Sequence, residues 1–341
     1  MLSSDPEIPM THLRQQAIAA GWLNAGDRPL FPRLAFPLAC TSDSCVHEFN
    51  RATRDQVLAE LLGGTARPAA NPSFLGKEQE VVIAETDRYG LPLRTVLGAS
   101  TGLMRSDPYY DQAYLARFYS QHYRNLYRPG RFSHSWFFAE QVRHGQRVLD
   151  ANWHRLPTGG GRVLDIGCGM GGTLLPFAFA GWTAIGCDYG DAYAARGRSL
   201  NLDVRTGGVE TVSAEKPFDL IILSHVLEHC PDPVAVAQSA AALLADTGVC
   251  YIEVPGLLNL ETHYEGDVLN YLQNAHLWHF TGATLAATLA RGGLAVESCT
   301  QAVQCIARRG PTVPHASAAD GPQVMEQLQR LERAAAKLTA A

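Results

Sequence analysis

Long apolar runs are missing from this chain. The most apolar stretches, Leu220 to Leu223 and Ala235 to Ala245, are too short to cross a bilayer and are interrupted, so no membrane partner is expected. Basic clustering is missing too. Lys and Arg number 28 against 33 Asp and Glu, a net charge of −5. No basic stripe is visible, which argues against a nucleic-acid partner, because neutralising phosphates needs clustered Lys and Arg. A locally basic pocket for one anionic substrate stays compatible with this balance. The opening Met1-Leu-Ser-Ser-Asp-Pro-Glu-Ile-Pro has neither a basic nor an apolar leader region, so no secretory signal is expected and the reading is cytoplasmic. Metal-type cysteine spacing is scarce. Of the cysteines at 40, 45, 168, 187, 230, 250, 299 and 305, only Cys40 and Cys45 read as close, and C-x₄-C without a second pair is a weak metal signal. That pair is read as reduced thiols, and several of the others fall in apolar strand patterns, as small buried hydrophobes do.

What is present is a globular composition, 46% apolar and 18% charged over 341 residues, which suits one large domain and a smaller one. Residues 1–108 read as an accessory region. Helical pieces at Thr11 to Trp22 and Asn50 to Leu62 precede two short strand-like runs, Glu80 to Glu85 and Leu91 to Leu97, around the turn Asp87-Arg-Tyr-Gly. Residues 109–157 form an aromatic helical lid or connector. There Tyr110, Tyr114, Phe118, Tyr119, Tyr123 and Tyr127 recur at helical spacing, either as packing against the following domain or as part of an active-site wall.

Residues 158–310 alternate strand and helix. Strands are read at Arg162–Gly167, Trp182–Asp188, Leu202–Thr206, Phe218–Ser224 and Gly248–Pro255, and a helix at Val234–Leu244 with Asp232 as N-cap. A helix at Gly282–Arg291 and two closing strands follow. Such alternation specifies an α/β fold, a parallel sheet with helices on both faces. The stretch 256–276 interrupts it and, with Tyr264, Tyr271 and Trp278, is read as a cover for an acceptor pocket. Residues 311–341 are a linker and an amphipathic helix with Val324, Leu328, Leu331, Ala335 and Leu338 on one face. That helix docks either on its own chain or on a second copy in a homodimer, and spacing does not choose.

Gly167-Cys-Gly-Met-Gly-Gly172 follows a strand and opens a helix. Glycine suits a sharp turn that approaches a ligand closely, and the helix start presents N–H groups to an anion. The pattern fits both G-x-G-x-G and the dinucleotide fingerprint G-x-G-x-x-G. Asp165 stands at the strand end, where a carboxylate orders the loop and faces an ammonium. Asp188 closes the second strand, placed for a ribose. The fourth strand ends in Ser224-His-Val-Leu-Glu-His-Cys-Pro-Asp-Pro233, a segment for which a nicotinamide enzyme has no particular use.

Together, Val163-Leu-Asp-Ile-Gly-Cys-Gly-Met-Gly, Cys187-Asp, the fourth-strand segment and His276-Leu-Trp-His-Phe-Thr-Gly-Ala-Thr-Leu resemble the successive motifs of class I S-adenosylmethionine-dependent methyltransferases. The similarity is to the branch acting on sugars, quinones and other small molecules. It implies a Rossmann-like seven-stranded sheet with S-adenosylmethionine along the carboxyl edge. Gly167, Cys168, Gly169 and Gly171 would meet the methionine part, Asp188 and Tyr189 the ribose side, Val209 and Glu210 the adenine, and Ser224 the strand edge. Gly208 stands where many members carry Asp. The hairpin Asp87-Arg-Tyr-Gly-Leu-Pro also resembles a small zinc-binding module of some sugar C-methyltransferases. Its cysteine positions are here Pro72, Leu75, Gly98 and Thr101, so a cysteine-less remnant is implied.

The expected function is methyl transfer to a small-molecule acceptor, a sugar or sugar nucleotide leading, by O- or C-methylation. An oxygen or carbon nucleophile must lose a proton, and His is suited to take it. His225, Glu228, His229, His276 and His279 are the catalytic candidates, with His225 and His229 first by position. A structural tie by Glu228 and His229 is the competing reading. His225, Glu228 and His229 also have metal-capable donors at helical spacing, but no metal is assigned. The alternatives are a non-catalytic scaffold of the same fold and a nicotinamide-dependent oxidoreductase or epimerase.

Overall fold

The computed structural model describes residues 10–37, 48–127, 133–300 and 302–339. Cys40 and Cys45 lie outside them. The chain divides into two compact units. One comprises Met1–Gly130, Leu260–Trp278 and Gly321–Ala341; the other comprises Arg131–Asn259 and His279–Asp320. No helix among the described residues is long and apolar enough to cross a membrane.

The second unit is built on a seven-stranded sheet. Its strands are β1 (Arg162–Ile166), β2 (Thr183–Asp188), β3 (Asp203–Thr206), β4 (Phe218–Ser224), β5 (Leu244–Glu253), β6 (Leu294–Cys299) and β7 (Gln304–Arg309), in spatial order β6-β7-β5-β4-β1-β2-β3. The five strands β1 to β5 pair parallel, while β7 pairs antiparallel with β5 and β6. The order reverses beside β1, which opens a crevice at the carboxyl ends of β1 and β4, the usual ligand position in such sheets. The helices are α1 (His134–Asn152), α2 (Leu175–Phe179), α3 (Asp191–Ser199), α4 (Pro233–Leu243) and α5 (Gly282–Arg291). As the sequence suggests, Asp232 caps α4 by accepting the Ala235 N–H, with proline in the first turn. Helix α1 places Val148 and Leu149 in one core cluster with Val163, Phe177, Leu220, Ile222, Val249 and Tyr251. Gly145 lets it come that close, since a side chain there would run into the Thr173 backbone.

The first unit contains the hairpin, with Glu80–Thr86 antiparallel to Pro92–Gly98. Buried Asp87 shapes its turn by accepting the Tyr89 and Leu91 N–H groups, both at 2.9 Å. The likeness to a zinc module gains no support beyond the hairpin. The turn at Gly98–Thr101 is organised by Glu78, whose carboxylate accepts the Ser100 N–H at 2.6 Å, the Thr101 N–H at 3.1 Å and the Thr101 hydroxyl at 2.5 Å.

Several boundaries differ from the sequence reading. The aromatic stripe belongs to the first unit. Tyr110, Tyr114 and Phe118 are buried there, Tyr110 packs on Trp22 and Tyr127 on Tyr89, and the Tyr110 hydroxyl donates to Asn274. A π-helical turn at Phe118–His122 interrupts its helical phase. Residues 260–278 also fold into this unit, with Tyr271 and Trp278 buried against Tyr264 and Phe74. The C-terminal helix, Gly321–Thr339, buries Val324, Leu328 and Leu331 within its own unit, and Arg33 bridges its Glu332 to Asp267. Of the two dockings left open, the structure shows the one on its own chain. The cysteine reading also needs correction. Cys299 and Cys305, register partners on β6 and β7 with Cα atoms 4.1 Å apart, form a disulfide. Pairing of the two strands, not nearness in sequence, brings them together.

Candidate functional site

The loop after β1 turns on three glycines with positive φ, Gly167 at 77°, Gly169 at 58° and Gly171 at 76°. Its shape is closed by backbone bonds. Gly167 and Cys168 N–H groups donate to the Cys187 carbonyl at 2.8 and 3.1 Å, and the Gly171 N–H to the Cys168 carbonyl at 2.9 Å. Buried Cys168 packs with Leu174, Ala194 and Val204 beneath the turn. Asp188, at the end of β2, takes the Gly169 N–H at 2.8 Å and the Gly190 N–H at 2.6 Å. Its carboxylate thus ties the loop to β2 as well as standing at the strand edge.

Asp165 lies beneath the loop at 3% exposure, not on its surface. Burial pushes its carboxyl up to about 8; the Thr173 hydroxyl opposes the shift and the Asp188 carboxylate adds to it. Tyr189 is 78% exposed. A side chain at Gly208 would run into its hydroxyl and into Glu210, whose carboxylate accepts the Gly208 N–H at 2.7 Å. Val209 and Glu210 begin a short 3₁₀ turn beside it.

At the end of β4, Ser224 stands in register with Glu253 of β5. His225 takes a left-handed φ of 54° and donates its N–H to the Glu253 carbonyl at 2.7 Å. Its Nδ1 lies 3.3 Å from Glu228 Oε1, and its side chain is 55% exposed. Glu228 is buried, with Oε1 also 3.8 Å from His229 Nε2, while its Oε2 has no hydrogen-bond partner among the described residues. Leu227–His229 is a 3₁₀ turn, so His225, Glu228 and His229 do not share one α-helical face as their spacing suggested. They still meet, through the bend at His225.

His276 belongs to the first unit, where Gln273 meets its ring at 2.6 Å. His279 is 1% exposed, and burial pushes its pKa down to about 3.

Helix α1 contributes residues that no motif signalled. Gln141 donates to the Cys168 carbonyl at 2.7 Å. Three residues on, His144 Nε2 lies 3.7 Å from Glu253 Oε2, which also accepts from the Tyr251 hydroxyl at 3.0 Å. Their spacing on one helical face was the available signal, masked by the surrounding aromatic residues.

Residues 138–299 match the family model described as a methyltransferase domain. Over that span the chain is similar to a methyltransferase domain. Among similar proteins is a ubiquinone biosynthesis O-methyltransferase of Stutzerimonas stutzeri, 32% identical over 129 residues, covering 34% of this chain and 56% of that protein. One from Xanthomonas campestris is 33% identical over 112 residues, covering 30% and 47%. The chain thus spans about half the length of the curated relatives it matches. The magnesium protoporphyrin IX methyltransferase of Synechocystis, solved with bound SAH, is 17% identical, with 58% of this chain and 98% of that chain covered and a TM-score of 0.40.

A side chain at Gly169 would meet Gln141 and the Phe137 ring, which confines the turn to glycine, and the Asp188 carboxylate beside it suits a cationic donor such as S-adenosylmethionine. Asp165 also makes a pH prediction. Its carboxyl takes up a proton on folding, because its pKa rises from the ordinary 3.8 to about 8. Stability of the donor-free protein therefore falls as pH rises between those values, and the decline ends above about 8. Asp165→Asn is expected to flatten this slope and to be the more stable protein at alkaline pH. Urea melts across this range check it, and parallel slopes would refute the assignment.

Proposed function

We propose that this chain transfers a methyl group from S-adenosylmethionine to a hydroxyl oxygen of a small molecule. The observation that carries the reading is a glycine cradle and a histidine–carboxylate pair on the same carboxyl edge of one sheet, at the ends of β1 and β4. When bound, the donor supplies a methyl group on a positively charged sulfur, open to in-line displacement.

The chain's own residues then have three tasks. Gly167, Cys168, Gly169 and Gly171 hold the amino-acid end of the donor, while Asp188, Tyr189, Val209, Glu210 and Ser224 line the rest of its site. His225 takes the acceptor's proton at Nε2, and Glu228 fixes Nδ1 as the donating nitrogen and offsets the charge the ring acquires. His229 Nε2 lies 3.8 Å from the same carboxylate oxygen. Glu228 is well placed for that role because a buried carboxylate is little screened by water.

The names of the relatives support an oxygen acceptor. The sugar or sugar nucleotide expected from the sequence finds no such support, so phenols stand beside sugars as acceptors to be tried. Calorimetric titration is expected to show binding of S-adenosylmethionine and none of NAD; NAD binding without S-adenosylmethionine binding would reverse the reading. Labelled donor turned over against phenols and sugar nucleotides then tests catalysis. Tight donor binding with no turnover on any acceptor would favour the non-catalytic scaffold.

A further inference from the structure

We propose that Gln141 of α1 is a donor-positioning residue that serves the amino-acid end of S-adenosylmethionine. The inference rests on the donor reading above and assigns a residue that neither the loop motif nor the strand edges include.

The side chain reaches the loop at two points. Its Nε2 donates to the Cys168 carbonyl at 2.7 Å, and its Oε1 lies 3.4 Å from the Gly172 nitrogen as acceptor. It also stands directly over Gly169, where an added Cβ would come within 2.9 Å of Nε2 and 3.5 Å of the Phe137 ring. The backbone of α1 is pinned in this place from both sides. Gly145 lies against the Thr173 backbone, and the Phe138 carbonyl is 2.7 Å from where a side chain on Gly172 would begin.

The loop does not need Gln141 to close. The Cys168 carbonyl already accepts the Gly171 N–H, and Asp188 already takes the Gly169 N–H. At the Cys168 carbonyl this partly buried carboxamide is a second donor, and its 3.4 Å approach to the Gly172 nitrogen is long, so the turn draws little on it. Its chemistry suits what the loop binds. A carboxamide offers two N–H donors and an oxygen with two lone pairs. The donor's amino-acid end needs both kinds of partner, a hydrogen-bond donor for its carboxylate and an acceptor for its ammonium. With one N–H engaged by Cys168, Gln141 keeps a second N–H and acceptor capacity at the cradle.

The test compares two ligands by calorimetry on the full chain. S-adenosylmethionine carries the amino-acid end, and 5′-methylthioadenosine lacks it. Gln141→Leu keeps the side chain's bulk without its polar atoms, and Gln141→Asn keeps the carboxamide but shortens its reach. Each is expected to weaken S-adenosylmethionine by about tenfold or more while 5′-methylthioadenosine stays within about twofold. Equal losses for both ligands would show that Gln141 only props the loop, and unchanged S-adenosylmethionine affinity would show that it does nothing for the donor; either overturns the proposal. Should one variant fail to fold, the other reads out alone. A wild-type chain that binds 5′-methylthioadenosine and not S-adenosylmethionine overturns it also, whereas a wild type binding neither ligand defeats the donor reading on which it stands.

Discussion

Gly169→Val is expected to lower S-adenosylmethionine affinity by more than about a hundredfold while the protein still folds. Two effects combine at this residue. Its φ of 58° lies in the left-handed region, which a β-branched side chain enters only with strain. Its Cβ would also stand 2.9 Å from Gln141 Nε2, tighter than real contacts allow, so that side chain must move off the loop. The strain costs about 1–3 kcal/mol, within what a domain of ordinary stability of about 5–15 kcal/mol tolerates. Donor binding has no such reserve, because a displaced loop loses several contacts at once. Gly181→Val supplies the control. Gly181 also has a positive φ, 82°, but nothing lies within 4 Å of its added Cβ and it sits away from the cradle. It should share the strain and keep the donor affinity. Calorimetry gives the affinities and thermal melts report the fold. Unchanged affinity in Gly169→Val, with the melt intact, would mean that this loop is not the donor site.

Much of the second unit was legible because its signals are local. Each strand of the sheet is a short apolar run with a turn at its end, and Asp232-Pro233 marks a helix start within two residues. The cradle was legible for the same reason, since glycines with positive φ leave their mark in the residues themselves. What was not legible depends on distant segments meeting. Gln141 reaches Cys168 only because Gly145 lets α1 pack closely, and no spacing rule connects residue 141 with residue 168. His144 and Glu253 meet only once α1 crosses β5. The disulfide between Cys299 and Cys305 required knowing that β6 and β7 pair in that register. Residues 260–278 and the C-terminal helix were assigned by order along the chain, whereas burial of Tyr271 and Leu328 puts both in the first unit. The bend at His225 was hidden because an i, i+3, i+4 pattern reads the same on an α-helix and on a 3₁₀ turn entered from a left-handed residue.

That bend makes Asn the informative replacement for His225. Asn tolerates a left-handed backbone better than most residues, so His225→Asn removes the imidazole with little change at the φ of 54°. Once an acceptor is found in the panel, this variant is expected to lose about 10²- to 10³-fold in turnover, the scale of a positioned general base. Donor affinity should stay within about twofold if the imidazole acts on the acceptor alone. Glu228→Gln is the companion. Glu228 is 1% exposed and its Oε1 lies 3.3 Å from His225 Nδ1, so the amide keeps the shape and removes the charge. If Glu228 offsets the charge that His225 acquires, this variant loses about tenfold in turnover while its thermal stability holds or rises, because a buried charge is gone. If it is only a structural tie, stability falls and turnover per folded molecule does not. Turnover left intact by His225→Asn would pass the proton to another group, and His229, 3.8 Å from the same carboxylate oxygen, is the next to replace.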